Sequence, residues 1–215
     1  CLSLPGTEGF DASRTVLTGN PVRAAVVALA GRQHDFSGKR LLVMGGSLGA
    51  HALNVHVCRH LGALRAAGIE VRHQTGVRGE AVTREAYAAA GYDPACVSAF
   101  IDDMASAYAW ADLVLCRAGA TTVAELCAAG LPSVLVPFPY AVHDHQTRNA
   151  QALVAEGAAL MLPEARMESD GLMAQVTDLL QDADRLRAMA AAASGCARVH
   201  AAELVAAELE TVCAR

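Results

Sequence analysis

The chain has 215 residues, of which 53% are hydrophobic and 18% charged, and its formal net charge is -5. This composition predicts one domain with a full core, and the acidic balance leaves no basic surface for nucleic acid or an anionic membrane. No apolar run can cross a bilayer, because Pro132, Pro137 and Pro139 interrupt the richest segment. We therefore expect a soluble protein that does not bind nucleic acid.

The chain begins at Cys1, and its first stretch, CLSLPGTEGFDASR, lacks the basic start and the apolar body of a signal peptide. We expect further sequence upstream. The seven cysteines, at positions 1, 58, 96, 116, 127, 196 and 213, include no close pair. This spacing predicts reduced, buried thiols in the cytoplasm.

Apolar strands alternate with helical patterns along the chain. The predicted strands are Arg40–Met44, Ile69–Gln74, Cys96–Phe100, Leu113–Cys116, Ser133–Pro137 and Ala158–Leu162. A helical spacing of apolar residues follows the first strand, at Leu53, Val57, Leu61 and Leu64, and the chain is helical after Glu168. This alternation predicts an α/β fold with a doubly wound parallel sheet.

The loop after the first strand, GGSLGAHALN, is rich in glycine. Gly45, Gly46 and Gly49 free the backbone to curl around an anion, and Ser47 adds a hydroxyl. The loop matches neither the Walker pattern nor a dinucleotide fingerprint. A phosphate cradle and a tight strand-to-helix turn both remain open here.

The loop after the fourth strand reads CRAGATTVAE. Thr122 and Glu125 have the spacing of a capping box, in which both side chains would satisfy free N–H groups at a helix start. A helix start is also a site for a diphosphate, and a carboxylate one turn inside can accept from two ribose hydroxyls. Both interpretations remain open from the residues alone.

Two further loops carry polar groups that are candidates for the same sheet edge. Asp102 or Asp103 can cap the helix that follows the third strand. The loop after the fifth strand opens a helix with His143, Asp144, His145, Gln146 and Asn149. Loops that share one edge of a parallel sheet favour a nucleotide-sized cleft.

His56 and His60 share a helix face at the spacing i, i+4. No carboxylate lies between them and no third ligand is near in sequence, so no metal site is expected. The cleft loops also lack an Asp-x-Asp motif, and we expect no metal or other cofactor.

Several motifs together resemble one family. They are GNPVR at 19 to 23, GGSLGA at 45 to 50, HQTG at 73 to 76, FIDDM at 100 to 104, AYAWAD at 107 to 112, CRAGATTVAE at 116 to 125 and DHQTRNA at 144 to 150. In this order they resemble the carboxyl-terminal half of the MurG family. These are bacterial UDP-N-acetylglucosamine transferases of peptidoglycan synthesis, and they have the GT-B fold.

The resemblance implies a Rossmann-like domain that binds UDP-GlcNAc. It implies that Glu125 accepts from the ribose, that the main chain of Ile101 reads the uracil, and that Gln146 bonds the GlcNAc ring. It also implies that Arg23 contacts the nucleotide and that Ser47, Thr121 and Thr122 contact the diphosphate. The neighbouring Ala120, Val123 and Ala124 are implied as further substrate-binding residues.

The implied reaction transfers GlcNAc to undecaprenyl-diphospho-MurNAc-pentapeptide (lipid I), with inversion, to give lipid II. The family's acceptor-binding and membrane-facing half is absent from these residues, so no catalytic residue is assigned and the chain alone is expected to be inactive. Residues 1–20 are expected to be a hinge remnant, 21–165 the donor domain and 166–215 terminal helices. The implied location is the cytoplasmic side of the bacterial inner membrane, with peripheral association through the absent half.

Other functions compete with this interpretation. Another GT-B enzyme that uses UDP-sugars, such as a glycolipid synthase or a UDP-GlcNAc epimerase, would share the cleft. A non-catalytic sugar-nucleotide binding module is a second class. A dinucleotide oxidoreductase is disfavoured, because IEVRHQTG lacks an acidic residue at the end of the second strand. His143 stands where many relatives have an acid, which we interpret as a tolerated loop change.

Overall fold

The computed structural model describes residues 1–4, 11–46 and 50–214. Within these ranges a six-stranded sheet has the order β3-β2-β1-β4-β5-β6, and every neighbouring pair is parallel. The strands are β1 Arg40–Met44, β2 Glu70–Gln74, β3 Val97–Ser98, β4 Leu113–Cys116, β5 Ser133–Leu135 and β6 Ala159–Met161. The predicted doubly wound parallel sheet is confirmed.

Helices cover both faces of this sheet. They are α1 Ala24–Val27, α2 His51–Arg59, α3 Leu61–Ala66, α4 Glu80–Ala89, α5 Met104–Trp110, α6 Ala120–Ala129, α7 His145–Ala155, α8 Leu172–Gln181, α9 Ala183–Gly195 and α10 Ala201–Cys213. Successive side chains of β1 enter two separate cores: Leu41 packs with α2 and α3, and Leu42 packs with α5 and α6. Each strand must therefore be apolar on both faces, which explains the continuous apolar runs in the sequence.

The third strand is shorter than predicted. Val97 and Ser98 pair with His73 and Gln74 of β2, and the chain then leaves the sheet, so that Phe100 is 51% exposed. The expectation of buried cysteines is wrong at the two ends of the chain, where Cys1 and Cys213 are exposed. All seven thiols are free.

An ion pair joins the first residue of β1 to the residue just before β4, the other central strand. Asp112, just before β4, is buried and accepts from the backbone N–H of Arg40 at 2.9 Å and from its guanidinium at 3.3 Å. The Asp112 N–H donates in return to the Arg40 carbonyl at 2.8 Å. These contacts fix the register of β1 against β4, and thus the relative height of the loops at their carboxyl ends.

The last helix leaves part of its apolar surface uncovered. Leu204, Leu209 and Val212 of α10 are exposed. None of the helices within the described ranges combines the length and apolarity needed to cross a membrane.

Gly19 provides a test of how tightly the GNPVR segment packs. Its φ is +83°, and a Cβ at this position would lie 2.4 Å from the Cβ of Arg198, in the linker between α9 and α10. Gly157 has a similar φ of +76° but open space around it. Ala at Gly157 should cost about 1 kcal/mol of unfolding free energy from backbone strain alone.

Gly19→Ala should cost about 1 to 3 kcal/mol more than Gly157→Ala, because the clashing atom is attached directly to the backbone and cannot rotate away. Urea unfolding of both variants measures the difference. Equal losses would mean that the linker yields freely and that the GNPVR segment is not held by the terminal helices.

Candidate functional site

A cleft of about 320 Å³ opens at the carboxyl ends of β1 and β4, where α6 begins. Four of the predicted site residues line it: Arg23, Ile101, Thr122 and Glu125. A larger cavity of about 540 Å³ lies below the short strand β3. We favour the smaller one as the ligand site, because it combines a glycine-rich loop, a helix N-terminus and a buried carboxylate.

The carboxylate of Glu125 lies in the cleft wall and is buried. Its Oε1 accepts from Arg23 Nε at 3.1 Å and Nη2 at 2.8 Å, and its Oε2 accepts from the Tyr108 hydroxyl at 2.9 Å. Burial, and then the nearby Glu125 charge, hold the pKa of Tyr108 well above its usual value, so the hydroxyl keeps its proton and donates. Glu125 is therefore an oriented, paired anion.

The capping-box interpretation of Thr122 and Glu125 is wrong. Helix α6 already begins at Ala120, its N-cap is Gly119, and no side chain caps it. Thr122 is consequently inside the first turn and Glu125 nearly two turns in, where its side chain reaches the cleft instead of the helix end. The predicted cap at Asp103 is confirmed, since Asp103 accepts from the Ser106 N–H at 3.0 Å.

The first turn of α6 presents free backbone donors toward the cleft. The helical ladder starts with Val123 N–H donating to the Gly119 carbonyl at 2.9 Å, so the amides of Ala120, Thr121 and Thr122 precede it. The Val123 side chain is fully buried in the core. An anion at this helix end would therefore meet backbone N–H groups and threonine hydroxyls.

Gln74, in the HQTG motif, is a brace that sequence reasoning missed. Its Oε1 accepts from Gly46 N–H at 3.0 Å, and its Nε2 donates to the carbonyls of Gly46 at 3.0 Å and Ala99 at 2.8 Å. Gly46 has a φ of +76°, a conformation that favours glycine. Gln74 thus ties the start of the glycine-rich loop to the segment that leads to Ile101. Ser47 and Gly49 of that loop lie outside the described residues.

Gln146 lies in the first turn of α7 and is half-buried, but it is not part of the lining of the Glu125 cleft. Its Oε1 accepts from the backbone N–H of Phe138 at 2.9 Å and of Ala118 at 3.2 Å. Asn149 donates to the Ala118 carbonyl at 2.9 Å. These amides fasten the loop before α6 to the loop before α7, and they leave only the Gln146 NH₂ group for a ligand.

The side chain of Arg117 is a second cation in the wall of the cleft. Its guanidinium donates to the carbonyls of Val136 and Pro137 and pairs with Glu164. It is therefore committed to holding the loop after β5. His143, in the same region, is exposed and has a φ of 51°, and Asp144 has a φ of 53°. Among the described residues, no hydrogen bond or ion pair of His143 explains why a histidine stands here.

The arrangement of these loops has counterparts among known proteins. The profile of the glycosyltransferase family 28 C-terminal domain matches residues 40–207. The chain belongs to this family.

The curated relatives of this family 28 domain have the same name. A protein of Nitratidesulfovibrio vulgaris (strain DP4) called UDP-N-acetylglucosamine--N-acetylmuramyl-(pentapeptide) pyrophosphoryl-undecaprenol N-acetylglucosamine transferase is 53% identical over 95% of this chain and 57% of its own length. The protein of the same name from Lawsonia intracellularis is 48% identical over 97% of this chain and 59% of its own. The crystal structure of Acinetobacter baumannii MurG superposes with a TM-score of 0.76 at 33% identity, over 97% of this chain and 59% of that one.

The family 28 domain described here thus spans less than two thirds of the length of these relatives. The comparison with the MurG structure also supports the GT-B fold that the sequence motifs implied. What the comparisons establish for these residues is the domain, its fold and its family.

Proposed function

We propose that this chain is the donor-binding part of an inverting N-acetylglucosaminyltransferase and that it binds UDP-GlcNAc. The observation that carries the proposal is the buried Glu125 carboxylate, held by Tyr108 and Arg23 beside the N-terminus of α6. A diphosphate at that helix end and a ribose on Glu125 would account for both features. The names of the relatives indicate the donor, GlcNAc carried on UDP.

The acceptor would be the lipid-linked N-acetylmuramyl-pentapeptide that those names specify, and the product would be lipid II. We assign acceptor binding, the general base and peripheral attachment to the cytoplasmic face of the inner membrane to residues outside this chain. The described residues would stabilise the leaving UDP electrostatically, through the first amides of α6 and the glycine-rich loop. Within this scheme residues 21–165 are the donor domain.

Calorimetric titration of the chain with UDP, UDP-GlcNAc and NAD tests the proposal. We expect UDP and UDP-GlcNAc to bind with a chelator present, and we expect NAD to bind far more weakly. Assayed with lipid I, the same chain should transfer no sugar. Binding of NAD in preference to UDP would overturn the assignment of the donor, and measurable transfer would overturn the assignment of catalysis to other residues.

The position of Gln146 predicts a specific effect on sugar binding. Gln146→Glu keeps an oxygen for the amides of Ala118 and Phe138 but removes the NH₂ donor. We expect the affinity for UDP-GlcNAc to fall about two- to tenfold further than that for UDP, the value of one hydrogen bond, because the added negative charge repels the diphosphate of both nucleotides alike. Titration of both nucleotides measures this. A parallel loss for UDP and UDP-GlcNAc would show that Gln146 acts only as a brace between the two loops.

A further inference from the structure

A cluster outside the nucleotide cleft brings together two imidazoles and a carboxylate. His56 and His60, one turn apart at the end of α2, lie beside Glu168, which belongs to the segment between β6 and α8. Their potential ligand atoms all lie within 4.8 Å of one another. No third ligand lies near the histidine pair along the sequence, but the fold brings Glu168 to it from the segment between β6 and α8.

His56 provides the inner face of this cluster. Its ring is buried, its Nδ1 lies 3.4 Å from Glu168 Oε2, and its Nε2 is buried without a hydrogen-bond partner. Two ligand atoms on a tetrahedral zinc ion are about 3.4 Å apart, since each lies about 2.0 to 2.2 Å from the metal. The separation of Nδ1 and Oε2 thus matches the length of one edge of a zinc tetrahedron.

His60 has one nitrogen free to serve as a second ligand. Its Nδ1 lies 2.8 Å from the carbonyl oxygen of His56, and a carbonyl can only accept, so Nδ1 carries the proton. Nε2 then has the lone pair that a metal requires. A histidine ligand whose other nitrogen donates to a backbone carbonyl is the usual outer arrangement of protein metal sites.

We propose that His56, His60 and Glu168 bind a divalent transition-metal ion of the zinc class, with water completing the coordination. Two imidazoles favour such an ion over Mg²⁺ or Ca²⁺, which prefer all-oxygen sites. The 73% exposed side chain of Glu168 can move the short distance needed to close on the ion. A cleft of about 280 Å³ beside His56 gives solvent and the ion access.

The ion would join helix α2 of the donor domain to the segment between β6 and α8. Helix α2 directly follows the glycine-rich loop, and Glu168 follows Glu164, the partner of the cleft residue Arg117. Metal binding should therefore stabilise the packing of α2 against the segment before α8. We expect this effect to occur without UDP.

Zinc titration of the reduced chain tests the site, with Mg²⁺ as the comparison ion and a non-chelating reductant present. The variants are His60→Gln and Glu168→Gln, both at half-buried or exposed positions, and the matched control is His200→Gln at the exposed start of α10. We expect wild type and His200→Gln to bind Zn²⁺ and to show a higher Tm with it. Each ligand variant should bind at least about tenfold more weakly and lose the Tm shift.

Cobalt provides an independent readout, because Co²⁺ in a tetrahedral site absorbs strongly in the visible range. Wild type and His200→Gln should develop this absorption, and the two ligand variants should not. Zinc binding that is unchanged in both ligand variants would place the ion at other groups, such as exposed thiols, and would overturn the proposal. So would a wild-type chain that takes up no Zn²⁺.

Discussion

Replacing Glu125 with glutamine should weaken UDP binding by about tenfold or more. The ribose hydroxyls would lose charge-assisted hydrogen bonds worth roughly 1.5 to 3 kcal/mol, and the isosteric amide cannot replace the charge. Calorimetric titration of UDP into both proteins measures the difference.

The matched control for Glu125 is Tyr108→Phe, which keeps the carboxylate but removes the hydrogen bond to Oε2. We expect a smaller loss of UDP affinity, about two- to tenfold. The comparison with 2′-deoxy-UDP is decisive. Wild type should bind the deoxy nucleotide more weakly than UDP, and Glu125→Gln should bind the two alike. Equal binding of both by wild type would leave Glu125 with only its contacts to Arg23 and Tyr108.

The second large effect is a loss of stability in acid that is caused by His73. This residue is fully buried in β2, with Nδ1 3.0 Å from the Tyr87 hydroxyl and Nε2 3.0 Å from Asn54 Oδ1. The NH₂ group of Asn54 donates to the Thr75 carbonyl, which fixes Oδ1 as the acceptor and puts the His73 proton on Nε2. A second proton would have to point at the Tyr87 oxygen in a dry core.

Burial accordingly lowers the pKa of His73 to about 3 from its ordinary 6.5. Between these two values the unfolded chain binds a proton that the folded chain does not, so the free energy of unfolding falls as the pH falls. From pH 7 to pH 5 the contribution of His73 is a loss of about 2 kcal/mol. Urea unfolding at both pH values measures it.

His73→Gln also disturbs the hydrogen bonds to Tyr87 and Asn54. The quantity to compare is therefore the change in the free energy of unfolding with pH, and not its value at one pH. The variant should be less stable at pH 7 but lose about 2 kcal/mol less than wild type on acidification. His200→Gln, at an exposed site, should leave the slope unchanged. A His73→Gln slope equal to that of wild type would assign the acid lability to other groups.

Much of the fold could be predicted because the sheet is buried on both faces. The bounds of β1 and β4 were predicted correctly, since their apolar runs end abruptly at polar residues or glycine. Local patterns failed where a long-range contact decides the structure. The Thr122 and Glu125 spacing fits a capping box, but the partners of Glu125 are Tyr108 and Arg23, which are 17 and 102 residues away.

Side-chain amides show the same limit. Gln146 and Gln74 stand in motifs that the sequence singled out, and composition alone cannot say which amide atom faces a ligand and which faces the backbone. In the structure the side-chain oxygen of Gln146 accepts from two backbone amides, and Gln74 bridges two loops. The sequence shows no third ligand near the histidine pair because Glu168 is distant along the chain. The fold brings it next to the pair.

The contact between Arg40 and Asp112 has a consequence for how the chain acquires its structure during synthesis. The two residues are 72 positions apart. The second edge of β1 therefore stays unpaired until β4 has left the ribosome. Until then a nascent sheet of β1, β2 and β3 exposes an apolar edge strand, and parallel pairing across such a separation is slow. We therefore expect the nascent chain to be most prone to aggregation between the emergence of β2 and that of β4.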